Sequence, residues 1–193
     1  MRSRHNVGYQ KRGITLVALS LAGCVSQSPQ FAVPDAIHFG QDTFVKVTHS
    51  QIDEMQHLLY LPEKSEKNPE NWQKGILFFL DKNSKNQTLE QRAAFRQASF
   101  AKKPELEAKV EIQQNELHSS VIYPPIERFN NVMLEVTRGR NLACGYGQIQ
   151  FADKREVGKT VAKKSPNLTA YSQEIARLSL ELNQLGWQVQ CSK

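Results

Sequence analysis

The stretch VMLEVTRGRNLACGYGQI, residues 132–149, decides the fold class. Val132, Leu134 and Val136 alternate with Met133, Glu135 and Thr137, the period of a strand with one buried face. Arg138-Gly139-Arg140-Asn141 reads as a turn. Leu142, Cys144, Tyr146 and Gln148 then alternate with Ala143, Gly145, Gly147 and Ile149. Two alternating runs about a turn signal predict a β-hairpin, with Arg138 and Arg140 at its tip.

Outward from that hairpin the period stays at two for a while. Val110 and Ile112 start a strand, and Ser120 to Tyr123 form another until Pro124-Pro125 stops it. Beyond the hairpin, Lys154 to Ser165 is a polar connection. Tyr171, Ile175, Leu178, Leu182 and Leu185 then recur at helical spacing, and Gly186 follows. This is the clearest amphipathic helix in the chain, with a glycine stop. Trp187, Val189 and Cys191 alternate as a short last strand.

Towards the N-terminus the reading turns helical. Thr43 to Val47 is a first strand, and Thr48-His-Ser-Gln51 has the form of a capping box. It opens a helix with Ile52, Met55 and Leu59 on one face, ended by Pro62. Asn68-Pro69 is a second start signal, before Trp72, Ile76, Leu77, Phe79 and Leu80. Thr88-Leu-Glu-Gln91 repeats the capping box and opens a helix bearing Leu89, Ala93, Phe95 and Phe100, with Pro104 beyond. Together these predict a single α+β domain over residues 42–193, an antiparallel hairpin region packed with about four helices.

The first 24 residues carry an address. Residues 1–12 are polar and basic, Ile14 to Leu21 is a short apolar run, and Ala22-Gly23-Cys24 follows. That order marks a signal peptide over residues 1–23. The apolar run is about half of the ~20 residues that span a bilayer, so a permanent membrane helix is not expected. The quartet Leu21-Ala22-Gly23-Cys24 resembles the lipobox of bacterial lipoproteins. The resemblance covers these residues alone. It implies that the Cys24 thiol is diacylated, that signal peptidase II cuts before it, and that the chain is held on an envelope membrane. Two or more acyl chains anchor stably where one does not. Val25 stands where an Asp would resemble the inner-membrane retention signal, which implies the outer membrane, facing the periplasm, in a diderm source. Residues 24–41, with Ser28-Pro29, suit a tether.

Charge supports this division. The chain has 25 basic and 19 acidic residues, a formal +6. Arg2, Arg4, Lys11 and Arg12 all precede Cys24, and 25 − 4 leaves 21 basic against 19 acidic, near +2. The basic character is mostly an export signal, and nucleic-acid binding is not expected without a surviving basic stripe.

Few side chains in the mature sequence point to chemistry. Cys144 and Cys191 are the cysteines that remain beside Cys24. In an oxidising envelope such a pair is a candidate disulfide, contributing about 3–4 kcal/mol through loop closure. Two small buried thiols are the other reading of the same positions. Arg138 and Arg140 at a hairpin tip are a candidate fork for phosphate or carboxylate groups of a partner, against a plain solubilising turn. His49, Asp53 and His57 share one side of the expected first helix, but the histidines lie about 12 Å apart along its axis, too far for one ion. Gly158-Lys159-Thr160 resembles the end of a phosphate-binding loop without its earlier glycine, since position 153 is Asp153. His118-Ser119-Ser120 sets a base beside hydroxyls, yet adjacent strand residues face opposite ways.

No catalytic set, metal or cofactor is therefore expected. The function expected is a non-catalytic binding or scaffolding role, with an envelope protein or glycan as partner and the membrane engaged through acyl chains. A cell-wall hydrolase, or an accessory lipoprotein of a secretion or pilus apparatus, are the alternatives.

Overall fold

The computed structural model describes residues 29–126, 129–158 and 167–192. Cys24 and residues 1–23, expected as a signal peptide, lie outside the described residues. The strands are β1 (Gln30–Ala32), β2 (Ala36–Phe39), β3 (Asp42–Ile52), β4 (Met55–Pro62) and β5 (Lys74–Asp81), then β6 (Glu107–Gln113), β7 (Glu116–Tyr123), β8 (Asn131–Leu142), β9 (Gly145–Glu156) and β10 (Gln190–Ser192). Helix α1 (Leu89–Ala101) separates β5 from β6, and α2 (Ser172–Gln184) follows a short 3-10 turn, Leu168–Tyr171.

The expectation of an α+β domain with about four helices is overturned. The described chain is mostly β, one curled eight-stranded sheet with two α-helices. The antiparallel order is β2-β3-β4-β5-β9-β8-β7-β6, with β1 and β10 as a separate two-stranded ribbon. Both N-terminal helices of the sequence reading are strands. Thr48 to Gln51 do not cap a helix; they pair with Leu59 to Gln56 across a hairpin. Asp53 turns that hairpin at φ 52°, a left-handed conformation that Asp tolerates better than most residues. The helical-looking face was misleading, because Ile52 and Met55 are exposed while Leu58, Tyr60 and Leu61 are buried. Trp72 to Leu80 likewise holds no helix. Ile76, Phe78 and Leu80 enter one face of the central strand β5, and Leu77 and Phe79 the other. A strand covered on both faces loses its alternation.

Strands β1 and β2 both fall within residues 24–41, expected as a tether. Two expectations hold closely. Thr88 and Gln91 form a reciprocal capping box at the start of α1. The stripe Ile175, Leu178 and Leu182 of α2 is buried against β8 and β7.

The helices cover opposite faces. Beneath α2, the main core gathers Ile37, Phe44, Tyr60, Phe78, Leu134, Val136 and Phe151 with the α2 stripe and Val189. Beneath α1, a smaller cluster joins Leu89 and Ala93 to Leu117 and Tyr146, with Phe79 and Val110 at its margin. The candidate site lies on the second face.

Candidate functional site

Between α1 and the strands β5, β9, β8 and β7 runs a cleft of about 500 Å³, within the ~300–1,000 Å³ of small-ligand sites. Its apolar wall is Met55, Phe79, Phe95, Phe100 and Leu117; its polar floor includes Arg96, Tyr123, Glu135, Tyr146 and Gln148. The floor arises from register. Tyr123, Glu135, Gln148 and Tyr146 all fall on the α1 side of the pleat, opposite the main core. Phe95 is held at the rim, 77% exposed.

The floor is ordered by hydrogen bonds. Arg96 Nη1 donates to Ser119 Oγ at 2.7 Å, and Nη2 to Gln148 Oε1 at 2.7 Å. Tyr146 OH donates to the same Gln148 oxygen at 3.1 Å. Glu135 accepts from Gln150 Nε2 at 3.0 Å and from Tyr123 OH at 3.3 Å. Burial pushes the Glu135 carboxyl above the ordinary carboxylate range, while the Arg96 charge and the Tyr123 bond pull it back. Burial likewise raises the Tyr123 and Tyr146 hydroxyls, so both remain donors at neutral pH.

Arg92 and Arg96, one helical turn apart on α1, differ in their company. Arg92 is neutralised by Asp81, Nη2 to Oδ2 at 2.7 Å, and lies 4.0 Å from the Tyr146 ring centroid. Arg96 has neutral acceptors and belongs to no ion pair among the described residues. A smaller hollow of about 400 Å³ adjoins at Tyr123, lined also by Trp72, Met133 and Lys154. There the Lys154 ammonium sits 3.5 Å from the Trp72 ring centroid.

The residues singled out from sequence fall elsewhere. Arg138 and Arg140 are not at a hairpin tip; β8 continues to Leu142, and the turn is Ala143-Cys144. Arg138 is buried on the α2 side. It donates through Nε to Glu116 Oε2 at 2.9 Å and through Nη1 to the carbonyls of Leu182, Asn183 and Leu185 at 2.7, 3.2 and 2.8 Å. It thus closes the C-terminus of α2, where unpaired carbonyls favour a cation. Arg140 stacks on Trp187, its guanidinium carbon 4.4 Å from the ring centroid. The glycine between them serves packing, because a Cβ at Gly139 would meet Tyr146 OH at 2.0 Å.

Cys144 and Cys191 form a disulfide with Cα atoms 5.6 Å apart, tying β10 to the β8–β9 turn. His49 and His57 lie on paired strands, with His49 Nε2 3.0 Å from Gln56 Oε1. His118 lies 3.7 Å from Glu116, on the pleat face opposite Ser119. Of Gly158-Lys159-Thr160, the last two lie outside the described residues. Among the described residues no group of three or more His, Cys, Asp or Glu is placed to hold a metal ion, and no helix is long and apolar enough to cross a membrane.

Sequence reasoning missed the cleft. Arg96, Glu135 and Gln148 are far apart in the chain and carry no motif. The one available signal was Glu135 and Thr137 between the apolar residues of β8, polar side chains committed to a single face.

Fold and cleft together define a curled antiparallel β-domain with a helix on each face and a ligand-sized amphipathic groove under one of them. A protein-family model matches residues 31–187, and the chain belongs to that family. The match runs from β1 through α2, so it takes in the whole eight-stranded sheet. An uncharacterized protein of Haemophilus influenzae is 28% identical over 192 residues, covering 93% of this chain and 97% of that protein. No solved structure matches the chain.

Proposed function

We propose that this protein is an envelope lipoprotein with a non-catalytic binding role, anchored through an acylated Cys24 and using the cleft under α1 as its binding site. The observation that carries the binding role is the cleft itself, an ordered polar floor beneath an exposed apolar rim. An apolar hollow with a few fixed polar groups is the usual form of a small-ligand site. The anchor rests on the order of basic leader, apolar run and Leu21-Ala22-Gly23-Cys24.

The two parts fit one geometry. Cys24 precedes Gln30, the first residue of β1, by six positions. Six extended residues reach about 20 Å at most, so the anchor keeps the domain close to the membrane surface. Scaffolding on a partner uses the same rim, where Phe95 stands free of the core.

The test is photocrosslinking in cells from an unnatural side chain at position 95, with position 180 as control. Leu180 is also exposed, but lies on α2 across the sheet. A defined envelope component captured from position 95 and not from 180 is the expected result. Equal capture from both positions, or from 180 alone, refutes the cleft as the site.

A further inference from the structure

Among the described residues, Arg96 is the cleft cation left without a counter-ion at contact distance. Its guanidinium carries more N–H donors than Ser119 and Gln148 use. Both acceptors are neutral, whereas Arg92 a turn earlier is matched by Asp81. Ser119 and Gln148 are buried, so they fix the guanidinium without neutralising it. Glu135 lies close enough to feel the Arg96 charge but makes no ion-pair contact with it, its Oε2 accepting instead from Tyr123 and Gln150. A fixed cation with no carboxylate in contact, and with N–H donors to spare, at the floor of a half-apolar hollow suits an anion held through short charge-assisted hydrogen bonds.

The rest of the wall bears on what such an anion would be attached to. Phe79, Phe95, Phe100 and Met55 present aromatic and flexible thioether surface, suited to an apolar body of variable shape. The position of the cleft points the same way. Strand register sets Met55 beside Asp81, Asp81 beside Tyr146, and Tyr146 beside Asn141, all at one end of the sheet. At that end Cys144 is bonded to Cys191, which pairs with Phe31 where the chain enters the domain. One end of the cleft, at Met55, Asp81 and Tyr146, therefore lies at the end of the sheet where the chain enters the domain.

We infer that the cleft binds a single-chain or double-chain anionic amphiphile, its carboxylate or phosphate on Arg96 and its acyl chain along Phe79, Phe95 and Phe100. This deepens, and rests on, the reading of the cleft as the binding site of a membrane-held protein. The shared ligand chemistry is an acyl chain ending in an acidic group. A free fatty acid and an anionic phospholipid are its two sources.

The experiment places the full chain in phosphatidylcholine vesicles with one photoactivatable probe at a time: oleate, phosphatidate or oleyl alcohol. Adducts are mapped by peptide mass spectrometry. Labelling of the peptides holding Phe79, Phe95 or Tyr146 by oleate, by phosphatidate or by both is expected, and which probe labels names the source. Arg96→Gln should cut labelling by the acidic probes at least tenfold and leave the weaker oleyl alcohol signal unchanged. Phe95→Ser, at an exposed position that the fold does not need, should cut labelling by all probes a few-fold. Equal labelling by alcohol and acid, unchanged in Arg96→Gln, overturns the inference. So does labelling confined to peptides away from the cleft. If no probe labels the cleft while position 95 still captures an envelope component in cells, the ligand class falls and the binding site stands.

Discussion

Replacing Arg138 by Met tests whether a sequence-exposed arginine has become a structural one. In the fold its guanidinium lies between the Glu116 carboxylate, 2.8 Å from Nη2, and three carbonyls at the end of α2. Met fills a similar volume but supplies no donor. Among the described residues Glu116, itself buried, then keeps only Arg140 at 3.5 Å and His118 at 3.7 Å. Removing one partner of a buried ion pair costs about 3–5 kcal/mol, chiefly because the other charge is stranded. With a urea m-value of about 2 kcal/mol/M, the unfolding midpoint of Arg138→Met should fall by about 1.5–2.5 M. Adding Glu116→Gln removes the stranded charge and should return part of that loss. A surface turn arginine would change stability by about 0.5 kcal/mol at most. A midpoint shift below about 0.3 M, or no recovery in the double variant, refutes the assignment of Arg138 to the α2 terminus.

Three other sites make further predictions. The Cys144–Cys191 bridge closes a separation of 47 residues, and the chain-entropy estimate gives it about 4 kcal/mol. Thiol trapping of the unfolded chain without reductant should leave both cysteines unmodified, and reductant should lower the unfolding midpoint accordingly; modification of both without reductant removes the bridge. Glu135 has its folded-state pKa raised by burial, so the folded form binds the proton more readily than the unfolded one. Its stabilising share is full below the unfolded carboxylate pKa and is lost as pH rises through the folded value. Relative to Glu135→Gln, the native protein should thus lose stability on going from acid to neutral pH. A pH-independent difference between the two in urea titrations excludes the shift. Glu174 acts in the opposite sense, held down to about 2 by hydrogen bonds from Arg177 and Arg155. Its contribution is present above the usual carboxylate range and is lost as pH falls towards 2, so Glu174→Gln should matter at neutral pH and cease to matter in acid.

How much of this was legible in the sequence depends on what each element packs against. The β8–β9 hairpin and β7 were readable because Val132, Leu134 and Val136 are buried on one face while polar side chains take the other. Helix α2 was readable because a single apolar stripe meets the sheet, and α1 because Thr88 and Gln91 make their capping contacts locally. Strands β4 and β5 were not readable as strands. Buried on both faces between other strands, Leu58 to Leu61 and Ile76 to Leu80 are continuous apolar runs that fit a helix equally well. Local start signals then tipped the reading the wrong way. Asn68 does accept a hydrogen bond from Glu70 N at 3.0 Å, a real turn that no helix continues. Arg138-Gly139-Arg140 looked like a turn because the need for glycine came from Tyr146, a contact that spacing alone does not reveal. The cleft was invisible for the same reason, since Arg96 reaches Gln148 across 52 residues.

The most direct test of the central claim is the intact mass and N-terminal peptide of the full chain expressed in a diderm bacterium and purified from its membranes. A chain that begins at Cys24 and carries diacylglyceryl mass on that residue is expected, with Cys24→Ala left as an unprocessed precursor. A native protein that keeps Met1, or is cut elsewhere, and bears no acyl mass overturns the lipoprotein reading.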